Sequence, residues 1–572
     1  MAMIFGWIDT LPDGKNFGFI KAEGSLQRYF LHSSQYHGPW EGLQKGARLS
    51  FEIQEINGKP QATNAKDAPP AETKHDTRDA PRKKIEPYTG PVIELSDEAR
   101  KRALNEISRW KLEARLDDLK RYFFTVPELK SIIDGETAYV IGRKGTGKTA
   151  LVQYLSDHDG IRSNLVSKLS FKNFPFNELY SQENANYTKP NQYITIWKLI
   201  IYSAACKSIA RSQYTDPLIK RTIDKAFPSP DSDNLGTIVG SWIAGDFGIN
   251  VLGTGISVTN WLKNKRKATL QEKVENLEAF VIKHMPNQKI LVLFDELDED
   301  YKDIFASFSK SNYMDLLTSL FKAVQDVRSS VTAKGKALFP VIFLRDDIYD
   351  LVKDADKNKW RDLENILEWN DTEIRRLLAY RLSKVLAVDE DDFDKIWYSL
   401  FSKSPMTYSK GKKEIDSFRY ITMSTQGRPR DYINYLKECA DIQLRMGSGE
   451  IAPSTVKAAD KAYSGYLRKE LIDEMHGLIP DIDNVLSIFS QTRKWILSIS
   501  EFRSEYLERV KTGSVKISDP DFILRTLFYF SVIGNVVRVG IHIFKYQSPN
   551  SELNFKEMIV VHRGLMKSLQ IV

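Results

Sequence analysis

Short runs of alternating apolar and polar residues, separated by turn residues, occupy the start of the chain. Five of these runs are predicted to be strands: Met3–Asp9, Asn16–Lys21, Arg28–His32, Arg48–Ile56 and Gln61–Asn64. Asn57-Gly58 favours a hairpin turn before the last strand, because both residues tolerate positive φ. We therefore expect residues 1–66 to form a small all-β barrel domain.

Continuous apolar runs, rather than alternating ones, follow in the middle of the chain. Three continuous apolar runs are typical of strands buried on both faces of a parallel sheet: Ala138–Ile141, Lys289–Phe294 and Phe339–Leu344. Residues 67–97 are rich in proline, alanine and charged residues, which predicts a flexible linker. We expect an α/β domain with a parallel sheet over 98–365, interrupted by an insertion at about 170–285.

The last third of the chain has mainly helical spacing. Tyr432–Leu444 belongs to a predicted α-helical lid over 366–445. Farther on, Ile523–Phe528 has helical spacing, and Val536–Ile543 and Met558–His562 are predicted strands. A helix followed by a hairpin resembles a winged helix, so 446–572 is predicted to be a helical, winged-helix-like α+β domain. Winged helices bind DNA or proteins.

Composition narrows the class of protein. The 572 residues predict three or four domains, and 42% hydrophobic with 27% charged residues excludes global disorder. The net charge of +7 is mild and permits a polyanionic partner. Cys206 and Cys439 cannot form a disulfide framework, and Met1–Pro12 lacks a signal-peptide pattern. Charged residues interrupt the apolar run Ile196–Ala210, so we expect no membrane span and a cytoplasmic location.

Aromatic side chains recur at every second position of the second predicted strand. Period two places Phe17 and Phe19 on one face, where rings can stack on bases for about 1–3 kcal/mol each. Trp7, Phe30 and His32 on the neighbouring strands can join this face, and Lys15 lies close enough to meet a phosphate. The predicted nucleic-acid-binding set is Trp7, Lys15, Phe17, Phe19, Phe30 and His32. The alternative is that these rings form the core of the barrel.

This strand pair resembles a known module. Lys15–Ile20 is similar to the first ribonucleoprotein motif of cold-shock domains, and Tyr29–His32 is similar to the second. Asn16 replaces a usual glycine and Ser33 replaces a usual aromatic residue, which weakens the expected affinity. The resemblance implies an OB-fold barrel and single-stranded RNA or DNA as a partner.

A glycine-rich segment between a strand and a helix carries the pattern GxxxxGKT. Glycines let backbone N–H groups turn inward around a phosphate, and the helix N-terminus adds partial positive charge. Lys148 is expected to reach the β- and γ-phosphates, and the Thr149 hydroxyl to bind Mg²⁺. The residues predicted to contact ATP are Gly142, Arg143, Lys144, Gly145, Thr146, Gly147, Lys148, Thr149 and Ala150.

Two carboxylates end the second buried strand. Asp295 is predicted to hold the Mg²⁺ shell, and Glu296 to polarise the water that attacks the γ-phosphate. An acidic cluster after a strand can also be a solvated turn, which is our interpretation of 298–300.

Arginines near these segments are candidates for sensing the γ-phosphate. Arg345 leaves the third buried strand, and its alternative role is a surface salt bridge with the adjacent aspartates. Arg428 and Arg430 precede the predicted lid helix and are candidates for coupling phosphate loss to lid motion. The alternative there is a capped helix start with Asp431 in its first turn.

Together, four segments resemble a group of bacterial P-loop ATPases in the AAA+ and STAND branch: Gly142–Leu151, Leu344–Ile348, Trp369 and Gly427–Asp431. The resemblance implies ATP and Mg²⁺ as cofactors, ATP hydrolysis, a homo-oligomer and a switch of the kind used in anti-phage defence. The spacing from Lys148 to Asp295 is unusually long for this group. Two alternatives stay open: a non-catalytic, ATP-dependent oligomeric scaffold for an effector protein, and an initiator or helicase-loader type of DNA-binding ATPase.

Overall fold

The computed structural model describes residues 4–12, 14–22, 28–44, 46–56, 59–68, 86–157, 164–171, 191–227, 269–298, 307–408, 413–447, 449–538 and 540–571. The chain forms two compact units, residues 1–84 with 409–413, and residues 85–408 with 414–572. The predicted turn at Asn57-Gly58 lies outside the described residues, as does most of the predicted linker.

The first unit is a closed barrel. Its strands are β1 (Ile4–Thr10), β2 (Phe17–Ala22), β3 (Arg28–His32), β4 (Arg48–Ile56) and β5 (Lys59–Asp67). They follow the order β1-β2-β3-β5-β4, and β3 and β5 run parallel while the other described pairs are antiparallel. Ile8, Ile20, Leu31, Leu49 and Phe51 fill the interior. The small all-β barrel predicted from the alternation is confirmed.

Helices precede the central sheet of the second unit and connect its strands. The first elements are α1 (Asp97–Ser108), α2 (Leu119–Tyr122), α3 (Pro127–Ile133), β6 (Tyr139–Gly142), α4 (Lys148–Asp157) and β7 (Leu165–Ser170). After them come α5 (Ile194–Arg211), α6 (Pro217–Ala226), α7 (Leu270–His284), β8 (Ile290–Asp295), α8 (Ser307–Thr332) and β9 (Leu338–Arg345). The region ends with α9 (Asp346–Leu351), α10 (Lys357–Trp360) and β10 (Glu364–Ile366).

The five strands form a fully parallel sheet in the order β10-β6-β9-β8-β7. Every residue of β6 and β8 is buried, as their continuous apolar runs predict for strands covered on both faces. Because parallel strands end at one edge, the loops after β6, β8 and β9 lie along the same side of the sheet. The predicted α/β core with a parallel sheet is confirmed.

Within the predicted insertion, α5, α6 and α7 pack in a shared apolar cluster with strands of the sheet. The apolar run Ile196–Ala210 belongs to α5, which is buried along nearly its whole length against this cluster. Among the described residues, no helix combines the length and apolar character needed to cross a bilayer. Positions 172–190 and 228–268 of the insertion lie outside the described residues.

Helices dominate the remainder. They begin with α11 (Asp371–Leu386), α12 (Phe393–Leu400), β11 (Met406–Tyr408), β12 (Lys413–Ile415), α13 (Ser417–Thr422), α14 (Pro429–Met446) and α15 (Pro453–Met475). Asn370 and Glu373 form a capping box that fixes the start of α11. The predicted lid and the following region share one hydrophobic core, which extends to the end of the described chain.

The last region is winged-helix-like, as predicted. It contains α16 (Ile482–Thr492), β13 (Ile496–Leu497), α17 (Ile499–Lys511), α18 (Pro520–Tyr529), β14 (Ile533–Arg538), β15 (Ile541–Ile543) and β16 (Met558–Val561). The prediction of a single strand over Val536–Ile543 is wrong: β14 and β15 form a hairpin within it. Gly540 has a φ of +81° and lets the chain reverse direction there.

Candidate nucleotide and nucleic-acid sites

The loop between β6 and α4 has the backbone of a phosphate-binding turn. Gly145 and Gly147 have φ values of +85° and +106°, which residues with a Cβ rarely adopt. A Cβ on Gly145 would also lie 3.2 Å from the Cβ of Arg430. Trp369 supports the loop by donating from its indole N–H to the carbonyl of Thr146 at 2.8 Å. The first turn of α4 then begins at Lys148 and contains Thr149 and Ala150.

The Lys148 ammonium is folded back onto this loop. It donates to the carbonyl oxygens of Gly142 at 2.6 Å and Arg143 at 2.9 Å. Burial lowers the pKa of Lys148 to about 8, although the negative charges of Asp346 and other nearby carboxylates oppose that shift. An anion in the turn would give the ammonium a charged acceptor in place of neutral carbonyls.

Asp295 ends β8 at the same edge of the sheet. Its side chain is only 3% exposed, and Oδ2 has no hydrogen-bond partner among the described residues. Burial, with the neighbouring charge of Glu296, raises the pKa of Asp295 to about 6. A buried carboxylate oxygen with an unused acceptor position is suited to a cation such as Mg²⁺.

Glu296 has a strained backbone and an occupied carboxylate. Its φ is +59°, in the left-handed region that residues other than glycine seldom adopt. The Oε2 atom accepts hydrogen bonds from the guanidinium of Arg115 and the hydroxyl of Ser170. Sequence reasoning missed both partners. Ser170 pairs with Asp295 in the β7–β8 register, which identifies it once the strand order is known, whereas nothing in the sequence points to Arg115.

Arg345 lies in an ion pair. Its guanidinium binds Asp347 through two hydrogen bonds of 2.9 and 2.6 Å, and approaches Asp298 at 3.5 Å. This is the alternative pairing with an adjacent aspartate, although it is buried rather than on the surface. Asp346, which the sequence did not single out, is the largest source of negative charge acting on Lys148 and also acts electrostatically on Arg143.

Arg428 and Arg430 bring the start of α14 to the P-loop-like turn. Arg428 is 1% exposed and binds Asp431 at 3.0 and 2.9 Å and Glu474 at 2.9 Å. Arg428 also approaches the carbonyl of Lys144 at 3.4 Å. The backbone N–H of Arg430 reaches the carbonyl of Gly145 at 3.4 Å. Asp431 is in the first turn of α14, as the alternative arrangement predicts, but no side-chain hydrogen bond caps the start of this helix.

Two glutamates of α15 balance these cations. Glu470 lies 3.2 Å from the ammonium of Lys144 and 3.4 Å from the guanidinium of Arg430. Burial alone would raise the pKa of Glu474, but the charges of nearby cations outweigh it and hold that pKa below its ordinary value. These cations are Arg428, Arg345, Lys144 and Arg143. The helix after the lid therefore supplies part of the negative charge around the loop in this conformation, together with Asp346.

A third contact joins the loop to the winged-helix-like region. Arg143 donates to the backbone and side-chain oxygens of Gln426, and its guanidinium lies 5.8 Å from the ring centre of Tyr546. Gln426 in turn donates to the carbonyls of Phe530 and Ser531, both at 3.2 Å. Arg143 therefore connects the loop to the segment before β14 through Gln426, and to the segment after β15 through Tyr546.

In the barrel, alternation in β2 sends Gly18 and Ile20 inward and leaves Phe17 and Phe19 partly exposed. Across the strand pair, Phe19 faces Phe30, and the rings of Phe17 and Phe30 stack with centres 5.5 Å apart. These rings are therefore not part of the barrel interior. They form an outward aromatic surface of the kind on which bases stack.

The other predicted barrel residues lie at this surface or near it. Trp7 is 41% exposed and pairs with Lys21, which alternation places on the same face as the phenylalanines. His32 pairs with Phe17, and its Nδ1 accepts the backbone N–H of Ser34 at 3.3 Å. Lys15 is exposed in the preceding loop.

Comparison with known families identifies the class of the N-terminal unit. Residues 4–67 match the "Cold-shock" DNA-binding domain, and residues 372–472 match the FunZ-associated C-terminal helical domain. The chain thus carries a cold-shock domain at its N-terminus, in the same polypeptide as an α/β core with a P-loop-like turn.

Individual proteins are more distant. The chain is 20% identical over 440 residues to the putative transposon gamma-delta 80.3 kDa protein of Escherichia coli (strain K12). That alignment covers 73% of this chain and 59% of the relative's length. Among solved structures, Cdc6p from Pyrobaculum aerophilum matches with 12% identity and a TM-score of 0.27, covering 84% of this chain and all of that one. Drosophila ORC bound to DNA matches with 13% identity and a TM-score of 0.27, covering 86% of this chain and 96% of that one. Structural matches with TM-scores this low support no conclusion about function.

Proposed function

We propose that the chain is an ATP-dependent switch that binds Mg²⁺-ATP at the loop after β6 and single-stranded nucleic acid on its cold-shock domain. The observation that carries the nucleotide site is the buried, unpartnered Oδ2 of Asp295 at the same sheet edge as the folded-back ammonium of Lys148. The Asp295 carboxylate has an acceptor position available for a cation, and the Lys148 ammonium has only neutral carbonyl acceptors where a phosphate could bind. Mg²⁺-ATP satisfies both.

The residues present fit such a complex. Lys148 would exchange two carbonyl acceptors for β- and γ-phosphate oxygens, and the loop N–H groups would line the phosphates. Thr149 and Asp295 would hold Mg²⁺, which supplies charge neutralisation on the phosphoryl oxygens when bound. Glu296 would accept a proton from the attacking water. Hydrolysis would require Glu296 to leave its present contacts with Arg115 and Ser170.

The three arginines have unequal claims to a sensing role. Arg430 is partly exposed beside Gly145, so a phosphate can compete with Glu470 for it. Arg428 is enclosed by Asp431 and Glu474, which favours a supporting role for the loop and the lid. Arg345 would have to exchange its bidentate contact with Asp347 for a phosphate oxygen before it acts as a sensor.

The aromatic surface of the barrel supports binding of single strands rather than of duplex. Phe17, Phe19 and Phe30 form a cluster of partly exposed rings, and each stacked base contributes about 1–3 kcal/mol with little sequence preference. A duplex hides the faces of its bases and cannot use such a surface. Both RNA and DNA single strands satisfy this chemistry.

Coupling between the two ligands is tested by measuring each in the presence of the other. ATP turnover is measured with and without single-stranded RNA or DNA, and oligonucleotide affinity with and without ATP. Linkage requires that a change in one equilibrium affinity appears equally in the other. Lys148→Ala is the control for turnover by a contaminant. An unchanged turnover rate together with an unchanged oligonucleotide affinity would remove the coupling, and no turnover above Lys148→Ala would remove the ATPase.

A scaffold that binds ATP without needing hydrolysis is the second candidate. The engagement of the Glu296 carboxylate by Arg115 and Ser170 favours it, because Glu296 is not free to act as a base in this conformation. Glu296→Gln separates the two functions, since binding would persist while hydrolysis stops. A scaffold keeps its ATP-dependent self-association, measured by sedimentation, and its effector contact in that variant. A hydrolytic switch becomes trapped in one state.

The initiator-type alternative receives less support. Duplex reading by a winged helix requires an exposed helix surface in the position of α18. Of the 10 residues of α18, Arg525 alone is exposed, and Tyr529 donates to Asp350 of the α/β core at 2.6 Å. In this conformation, α18 therefore offers duplex DNA little exposed surface.

The biological setting that follows from the resemblance to STAND ATPases is anti-phage defence in the cytoplasm. The buried thiols of Cys206 and Cys439 fit a reducing compartment. Phage plating efficiency on cells expressing the protein, compared with the Lys148→Ala variant, tests this role. Equal plating on both strains counts against it.

A further inference from the structure

Two described residues bind the Glu296 carboxylate, Ser170 and Arg115. Ser170 belongs to the sheet, whereas Arg115 comes from outside it. It lies in a short turn, Ala114–Leu116, between α1 and α2. The Arg115 guanidinium reaches Glu296 Oε2 and also donates to the Ser170 hydroxyl at 3.0 Å. One cation therefore connects the ends of β7 and β8.

This contact draws Glu296 to one side of the sheet. In the order β10-β6-β9-β8-β7, Ser170 ends the edge strand β7, whereas the phosphate-binding loop follows β6 on the opposite side of β8. Glu296 is thus held toward the strand farther from Lys148. The left-handed backbone at Glu296 shows that the surrounding contacts maintain an otherwise unfavourable conformation.

The same turn is fixed to the helical lid. Asp117 follows it directly and accepts a 2.9 Å hydrogen bond from Arg381 of α11, with both side chains more than 90% buried. The Arg381 guanidinium lies between two rings, 4.7 Å from the centre of Trp110 and 4.6 Å from that of Tyr122. Because Asp117 and Arg115 are two residues apart in one hydrogen-bonded turn, movement of α11 also moves the Arg115 backbone.

We propose that Arg115 is a positioning residue that holds Glu296 in a resting position, and that the Asp117–Arg381 pair lets the helical lid release it. This inference rests on the proposed ATPase function. It deepens that function by naming the element that controls when the base faces the nucleotide.

The test compares kcat and KM for ATP in the full-length wild type, Arg115→Ala, Arg115→Lys and Arg109→Ala. Arg109 is an exposed arginine of the same segment and serves as the matched control. The Arg115 side chain is 34% exposed, so its removal does not threaten folding. Arg115→Ala is expected to raise kcat about two- to fivefold with KM unchanged, the size of one partly exposed charged contact. Arg115→Lys is expected to stay near the wild-type kcat, as is Arg109→Ala.

Two further variants make the result specific. Arg115→Ala with Glu296→Gln is expected to be as inactive as Glu296→Gln alone, because the gain passes through Glu296. Asp117→Asn uncouples the lid from the turn, so it is expected to lower kcat in the wild-type background and to leave kcat unchanged in the Arg115→Ala background. A kcat for Arg115→Ala equal to or below that of the wild type overturns the inference while leaving the ATPase intact. A wild type no faster than Glu296→Gln overturns the ATPase itself, and the inference with it.

Discussion

Replacing Asp295 with asparagine is expected to stabilise the nucleotide-free protein at pH 8 while preventing ATP hydrolysis. The carboxylate is 3% exposed and its Oδ2 has no partner in the described structure, so its charge is poorly solvated. Its pKa is about 6 against an ordinary 3.8. Since each pKa unit corresponds to about 1.4 kcal/mol, the ionised group costs the folded state about 3 kcal/mol.

The sign of this effect determines its pH dependence. The folded carboxyl binds its proton more tightly than the unfolded one, so the penalty is negligible below about pH 3, grows between about pH 4 and 6, and is complete above about pH 7. Asparagine keeps the shape and removes the charge. The variant is therefore expected to gain only about 1 kcal/mol near pH 4.5, and to gain about 3 kcal/mol and melt roughly 3 to 6 °C higher at pH 8.

Thermal melts followed by intrinsic fluorescence measure the difference at both pH values. Asp362→Asn, which neutralises an exposed aspartate, is the matched control and is expected to leave the melting temperature unchanged. A variant no more stable than the wild type at pH 8, or a gain that is just as large at pH 4.5, would refute the assignment of Asp295 as an uncompensated buried charge. Mg²⁺-ATP is expected to stabilise the wild type and not the variant.

Three other predictions concern the two ligands and the lid. Lys148→Ala is expected to abolish binding of a fluorescent ATP analogue, and binding within threefold of wild type would count against the loop as the phosphate site. Phe17→Ala with Phe30→Ala is expected to weaken single-strand binding by about 2–6 kcal/mol in an anisotropy titration, whereas Tyr214→Ala, at a 69% exposed ring elsewhere, is expected to have no effect. Glu474→Gln removes one of the two carboxylates that bind the buried guanidinium of Arg428, and is expected to cost about 1.5–3 kcal/mol of stability at pH 7.5. Because the pKa of Glu474 is lowered on folding, this difference is expected to shrink as pH falls below 4.5, and a pH-independent loss would show that packing is responsible.

Structural features that depend on a few neighbouring residues were predicted correctly. Five apolar residues before Asp295 specify a buried strand, and alternation in β2 predicts which residues point outward, because both depend on neighbours in the chain. The hairpin within 536–543 was misread as one strand because its residues alternate across a tight turn. There a single glycine reverses the chain without interrupting the pattern.

The environment of the candidate site depends on contacts that no local pattern contains. Arg115 is 181 residues from Glu296, and Arg143 is 283 residues from Gln426. Such pairs meet only after the sheet order and the lid packing are established. Arg345 illustrates the limit differently, since the sequence supports both a sensor and an ion pair with Asp347, and only side-chain geometry distinguishes them.

The charges around the loop indicate how nucleotide state can reach the rest of the chain. Lys144 and Arg430 both bind Glu470, and Glu474 lies among four cations. Both glutamates of α15 therefore neutralise cations of the loop and its surroundings in this conformation. A triphosphate carries more negative charge than these two carboxylates and approaches the same cations. Its binding at the proposed site is therefore expected to weaken the attachment of α15. By reciprocity, whatever holds α15 in place weakens ATP binding by the same free energy. The helices and wing that share the core of α15 would experience that competition directly, which makes the C-terminal region the natural output of the switch.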